Sequence, residues 1–199
     1  MYWFMREAFK IAYEKASEVL DRIRYTCDDL VSTTKIMDAV EAVTGYDVKY
    51  DIIDFSKLVK GAESDAFAKC GAAMYVPNDE KKARIILNSK ENAKMQRFSL
   101  VHELGHLTML DHMSNGKGYK FSTHINMDIT SIPEALCKEN EILKREQMAN
   151  IFALLVLIPD AALIEALKKY DSIDDISKIF GVEKNAVISR LKLGIKAED

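Results

Sequence analysis

The chain has 199 residues, enough for one well-buried core with a small appended element but short for two domains of ordinary size. Hydrophobic residues make up 48% and charged residues 30%, close to average globular usage, which argues against disorder. With 28 basic against 31 acidic side chains the formal charge is -3, so no global field attracts nucleic acid or anionic lipid, and any DNA contact would have to be local.

In chain order, the first ten residues lack the basic start and unbroken apolar stretch of a signal peptide. Phe4, Ala8, Ile11, Ala12, Ala16, Val19 and Ile23 then recur at the period of an amphipathic helix with one buried face. A second helical period covers 30–43 and stops at Gly45, which can take the positive backbone angle that closes a helix. Residues 47–53 alternate polar and apolar and read as a strand, and 71–76 and 84–87 are two further strands with a turn at 79–82. Together they predict a small antiparallel sheet.

Helical periodicity returns over 93–110 and is broken at Gly116 and Gly118. Ser131 and Glu134 frame a capping box, and helix is expected from there to Ile158, with Pro159 as its stop. The longest apolar run, 151–158, is far too short to cross a bilayer. Cys27, Cys70 and Cys137 are odd in number and widely spaced, which suggests neither a disulfide framework nor a paired-cysteine zinc site. A soluble protein of the reducing cytoplasm is expected.

The chemistry concentrates in His102-Glu103-Leu104-Gly105-His106. Residues four apart on a helix share a face, so His102 and His106 can aim their imidazoles at one ion, and that geometry suits zinc. Glu103, beside His102, is placed to act as general base on water and then to hand the proton to a leaving amine. The bland alternative, two surface histidines with a solvated glutamate, fits poorly with Phe98, Leu100, Val101, Leu104 and Leu107 around them. Buried imidazoles and a buried carboxylate are costly without partners, and a metal is an efficient one. Gly105, which weakens a helix interior by about 1 kcal/mol relative to alanine, fits a close approach by another backbone.

A third ligand would come from a second helix. Glu146 is the candidate, with Asn150 one turn later on the same face, positioned to hydrogen-bond a ligating histidine and fix its tautomer. The residues alone leave open that Glu146, like Glu139 and Glu141, is simply a solvated acid. Manganese or iron would also suit two histidines and a carboxylate.

The motif at 102–106, preceded by Arg97-Phe98-Ser99-Leu100-Val101 and followed by Glu146-Gln147-Met148-Ala149-Asn150-Ile151-Phe152-Ala153 and Leu157-Ile158-Pro159, resembles the ImmA/IrrE family of metallopeptidases. The resemblance runs from about Gly71 to Pro159. It implies zinc held by His102, His106 and Glu146, with Glu103 as the catalytic base. It also implies a protein substrate, a helix-turn-helix transcriptional repressor. The connection 111–139 is longer than the family pattern leads one to expect, which bears on substrate choice.

Other residues carry weaker signals. His112, His124 and Tyr119 are possible donors to a developing oxyanion, with loop surface as their default. The strand 71–76 either pairs with an extended substrate or is an ordinary strand of the sheet. The tail reads as helix, a turn at Gly181, and helix, the outline of a DNA-binding unit. Asp171, Asp174, Asp175 and Glu183 offset Lys178, Lys184, Arg190 and Lys192, so packing or partner docking is favoured over direct DNA binding.

The fold expected is α+β: a small zincin-like metallopeptidase domain, its short sheet packed on the metal-binding helix, with helical N- and C-terminal segments. Residues 1–165 would form the peptidase domain and 166–199 a small helical segment. The function expected is zinc-dependent endopeptidase. The rival is a non-catalytic metal-bearing regulatory or DNA- or protein-binding module, against which an intact Glu103 argues.

Overall fold

The computed structural model describes residues 3–23, 25, 30–57, 70–77, 80–113, 122–123 and 141–194. The capping box at Ser131 and Glu134, the glycines at 116 and 118, and Cys27 and Cys137 lie outside them.

Helix α1 (Trp3–Leu20) buries Ala12, Ala16 and Val19 along one face, and Ile23 continues the line just past its end. Helix α2 (Thr33–Thr44) begins later than the periodicity from residue 30 suggests. Ser32 caps it by accepting from the Lys35 N–H at 3.3 Å, and Leu30, ahead of the cap, is exposed. Gly45 closes the helix at φ +71°, its N–H bonded to the Glu41 carbonyl at 2.7 Å.

Strands β1 (Asp47–Ile53), β2 (Ala72–Tyr75), β3 (Lys82–Asn88) and β4 (Ser122–Thr123) form one sheet in the order β1-β3-β2-β4. The sheet is mixed, which corrects the antiparallel expectation: β1 runs parallel to β3, while β2 is antiparallel to both β3 and β4. Strand direction leaves no trace in a period of two, so alternation alone does not report it. Of the two readings of 71–76, the structure favours the ordinary sheet strand at Ala73 and Met74, where β4 pairs along the outer side of β2. Val48, Ala72, Met74, Ala83, Ile85 and Leu87 share one face by register and belong to the main core.

That core is shared with helix α3 (Ala93–Thr108), followed by the single turn α4 (Leu110–Met113). Asn92 caps α3, its side-chain oxygen accepting from the Lys94 and Met95 N–H groups at 3.0 Å each. From Ser99 to Leu107 every residue of α3 is buried, because the sheet lies on one side and helix α5 (Glu141–Leu157) on another. A helix packed on several sides has no wet stripe, so any polar group in this stretch sits in the interior.

Pro159 stops α5 as expected and occupies the cap position of α6 (Asp160–Lys169). Two short helices follow, α7 (Ile173–Ile179) and α8 (Lys184–Leu193). Ile176, Phe180, Val182 and Val187 from this tail join the main core. Arg190 is fully buried, donating through Nε to the Ile158 carbonyl at 3.0 Å and through Nη1 to the Gly194 carbonyl at 2.7 Å, with Nη2 on the Asp160 carboxylate. Replacing Arg190 by Met should therefore cost about 3 kcal/mol, because Asp160 and two carbonyls lose their donor together. Equilibrium urea unfolding checks this; a change within experimental error would show the network to be dispensable.

Among the described residues no single helix is long and apolar enough to cross a membrane.

Candidate metal centre

The site is built on the contact between α3 and α5. At Gly105 a Cβ would stand 2.8 Å from Cδ1 and 3.2 Å from Cβ of Phe152, so the glycine makes room for an α5 ring rather than for backbone. This close approach brings Glu146 and Asn150, one turn apart on α5, over His102 and His106, one turn apart on α3.

His102 Nε2 lies 3.2 Å from Glu146 Oε2, and His106 Nε2 lies 3.2 Å from Glu146 Oε1. The two Nε2 atoms are 3.0 Å apart, with the rings nearly perpendicular at 80°. Both imidazoles are fully buried, while the Glu146 side chain keeps 14% exposure. On the far side of its ring, His102 Nδ1 is 2.9 Å from Asn150 Oδ1. An amide oxygen can only accept, so Nδ1 carries a proton and Nε2 presents its lone pair when the ring is neutral. Burial holds His102 below the usual imidazole range, against the pull of Glu146.

Two imidazole nitrogens and a carboxylate thus offer ligand atoms that all lie within 4.8 Å of one another. Their lone pairs converge on a small space in the interior, an arrangement that repels itself unless a cation or a proton stands among them. Nitrogen and carboxylate donors in this number match what a catalytic zinc takes from protein, and they accept other divalent ions as well. The residues fit a metal.

Glu103 is fully buried and both its carboxylate oxygens lack a hydrogen-bond partner among the described residues. Burial first, and the charge of Glu146 second, push its pKa well above the usual carboxylate value. A carboxyl group kept dry and unengaged beside a cluster of ligand atoms is suited to taking up and releasing a proton.

Ser99, one turn before Glu103, is buried with its hydroxyl likewise unpartnered among the described residues. The sequence reading passed over it; its one available signal was a serine four residues before a buried glutamate on an apolar helix. Cys70, two residues before β2, is buried, and burial followed by Glu103 and Glu146 pushes its thiol up. His112 falls in α4, but its side chain, like the whole of Tyr119 and His124, lies outside the described residues.

Truncating Asn150 to Ala should weaken metal binding by about 10- to 100-fold, since the orienting partner of His102 is lost while the three ligand atoms remain. A zinc titration against a competing chelator reads this directly, and equal affinity in the variant would rule out an orienting role.

A family model described as the IrrE N-terminal-like domain (Peptidase_M78) matches residues 68–192, a span that takes in β2, β3, α3, α5 and nearly all of α8. No curated protein matches the chain at a significant level.

Proposed function

The chain belongs to the IrrE N-terminal-like family of peptidases, whose model covers more than half of it, and on that premise we propose that it is a zinc-dependent endopeptidase of the cytoplasm that cuts an intracellular helix-turn-helix repressor. The observation that carries the reading is the convergence of His102, His106 and Glu146 beside a buried Glu103 that has no hydrogen-bond partner among the described residues. In this reading His102, His106 and Glu146 hold the ion, and Asn150 keeps His102 in the tautomer that frees Nε2. When bound, zinc supplies Lewis-acid activation of water and of a substrate carbonyl.

The protein's own steps belong to Glu103. Its carboxylate accepts a proton from the attacking water and delivers that proton to the nitrogen of the leaving amine. A raised pKa serves both halves, because the group must be basic enough to take the proton and acidic enough to give it back near neutral pH. The buried surroundings exclude bulk water that would compete for the proton.

The repressor is supported by the family resemblance alone. The test is to incubate the zinc-loaded protein with purified helix-turn-helix repressors encoded in the same genome and to follow intact masses. Cleavage of one of them at a defined bond, absent with Glu103→Gln, is the expected result. No cleavage of any of them, nor of an unfolded general substrate such as casein, would favour the rival reading of a metal-bearing binding module. Burial of Arg190 takes one cation away from any DNA-facing surface of the tail, which supports packing or partner docking there.

A further inference from the structure

Among the described residues strand β1 ends the sheet, and its outward backbone groups are open for most of its length. The Asp47 N–H bonds to the Lys81 carbonyl and the Ile53 carbonyl accepts from the Ser89 N–H, both at 2.9 Å, so the odd-numbered residues of β1 turn their backbone groups toward β3. Val48, Tyr50 and Ile52 therefore turn theirs outward. Only the Val48 N–H is taken there among the described residues, by Glu41 Oε1 at 2.8 Å. Tyr50 and Ile52 are 41% and 51% exposed, and β1 contains no proline. A seven-residue edge carrying apolar side chains invites another strand.

We propose that this edge pairs with a second copy of itself, antiparallel about a two-fold axis at Tyr50, to make a continuous sheet across a homodimer. The pattern of β1 is self-complementary about that residue. Tyr50 meets Tyr50, with both outward backbone groups exchanged. Val48 meets Ile52, and the Val48 carbonyl accepts from the facing Ile52 N–H without disturbing Glu41. Lys49 meets Asp51 of the second copy twice, once on each side of the axis. Centring the axis on Lys49 or on Asp51 would instead set like charges against each other.

The surroundings favour the same register. On the core side, Tyr50 and Ile52 lie beside Ile85 and Leu87, so the pairing extends the apolar rows of each copy into the other. On the outer side, Lys49 pairs loosely with Asp47 at 3.9 Å and lies directly beside Arg84, an unfavourable neighbour, while Asp51 is 3.8 Å from Arg84. Asp51 of the second copy would give Lys49 an opposite charge on its free side. The interface is isologous and small, so the dimer dissociates on dilution.

Sedimentation equilibrium of the full chain over a concentration series tests this. The wild type should move from 22.5 kDa toward twice that mass as concentration rises. Lys49→Asp and Asp51→Lys, both at exposed side chains, should each weaken association by about tenfold or more, since two symmetry-related attractions become repulsions. Circular dichroism confirms that each variant is folded. Mixed together, the two variants carry acids on one edge and lysines on the other, and association should return. A wild type that stays monomeric at the highest concentration it tolerates overturns the proposal, as does a dimer indifferent to both reversals or a mixture that fails to associate. A monomer whose β1 amides gain protection only on adding a soluble threonine–valine peptide would assign the edge to a foreign strand and equally overturn it.

Discussion

Glu103→Gln should lower peptide hydrolysis by about a thousandfold while leaving metal content at the wild-type level. Glutamine has the size and shape of glutamate but no carboxylate to take a proton from water, so the chemical step loses its base. The candidate ligand atoms belong to His102, His106 and Glu146 and are untouched. Nor should the fold suffer, because among the described residues neither Glu103 oxygen holds a hydrogen bond that the amide would break, and glutamine places no charge at a fully buried position. Steady-state cleavage, elemental analysis and a thermal scan on the same preparation separate the three effects. Activity within a few-fold of wild type would mean that another group moves the proton.

How far the site was legible in the sequence depended on whether its parts lie on one element. His102, Glu103 and His106 could be read together because ligand spacing on a helix is a local property, and their apolar neighbours indicated burial. Glu146 could not be singled out in that way. Its place opposite the histidines results from α5 packing on α3 across about forty residues of chain, a tertiary contact with no periodic signature. The resemblance to a family supplied it, and the geometry puts its carboxylate 3.2 Å from each histidine. Gly105 signalled a close approach correctly, though the approaching group is the Phe152 ring.

The fold was legible to a similar extent. Helix ends marked by Gly45 and Pro159 came out where their chemistry puts them. The start of α2 did not, since the Ser32 cap outweighs the apolar period running through Leu30. The parallel pairing of β1 with β3 was hidden because side-chain alternation is the same in either direction. In the tail, Arg190 was grouped with Lys178, Lys184 and Lys192 as a cation offset by nearby acids. Its partners are the carbonyls of Ile158 and Gly194 and the carboxylate of Asp160, and a long charged side chain with such distant partners reads from sequence like any surface arginine.

Loss of one ligand has consequences for the whole molecule. A site that exists only in the folded chain turns metal affinity into stability, worth about 4 kcal/mol when free metal exceeds its dissociation constant a thousandfold. Chelation should therefore lower the melting temperature of the wild type. His106→Ala should melt at the same temperature with or without chelator, because two remaining donors do not make a catalytic-type zinc site.

The central claim, that His102, His106 and Glu146 hold a divalent metal, is tested most directly by elemental analysis of the purified wild type and of His106→Ala after adding zinc and removing the excess. The account predicts about one zinc per chain in the wild type and almost none in the variant. No bound metal in the wild type, or the same content in both proteins, would contradict it.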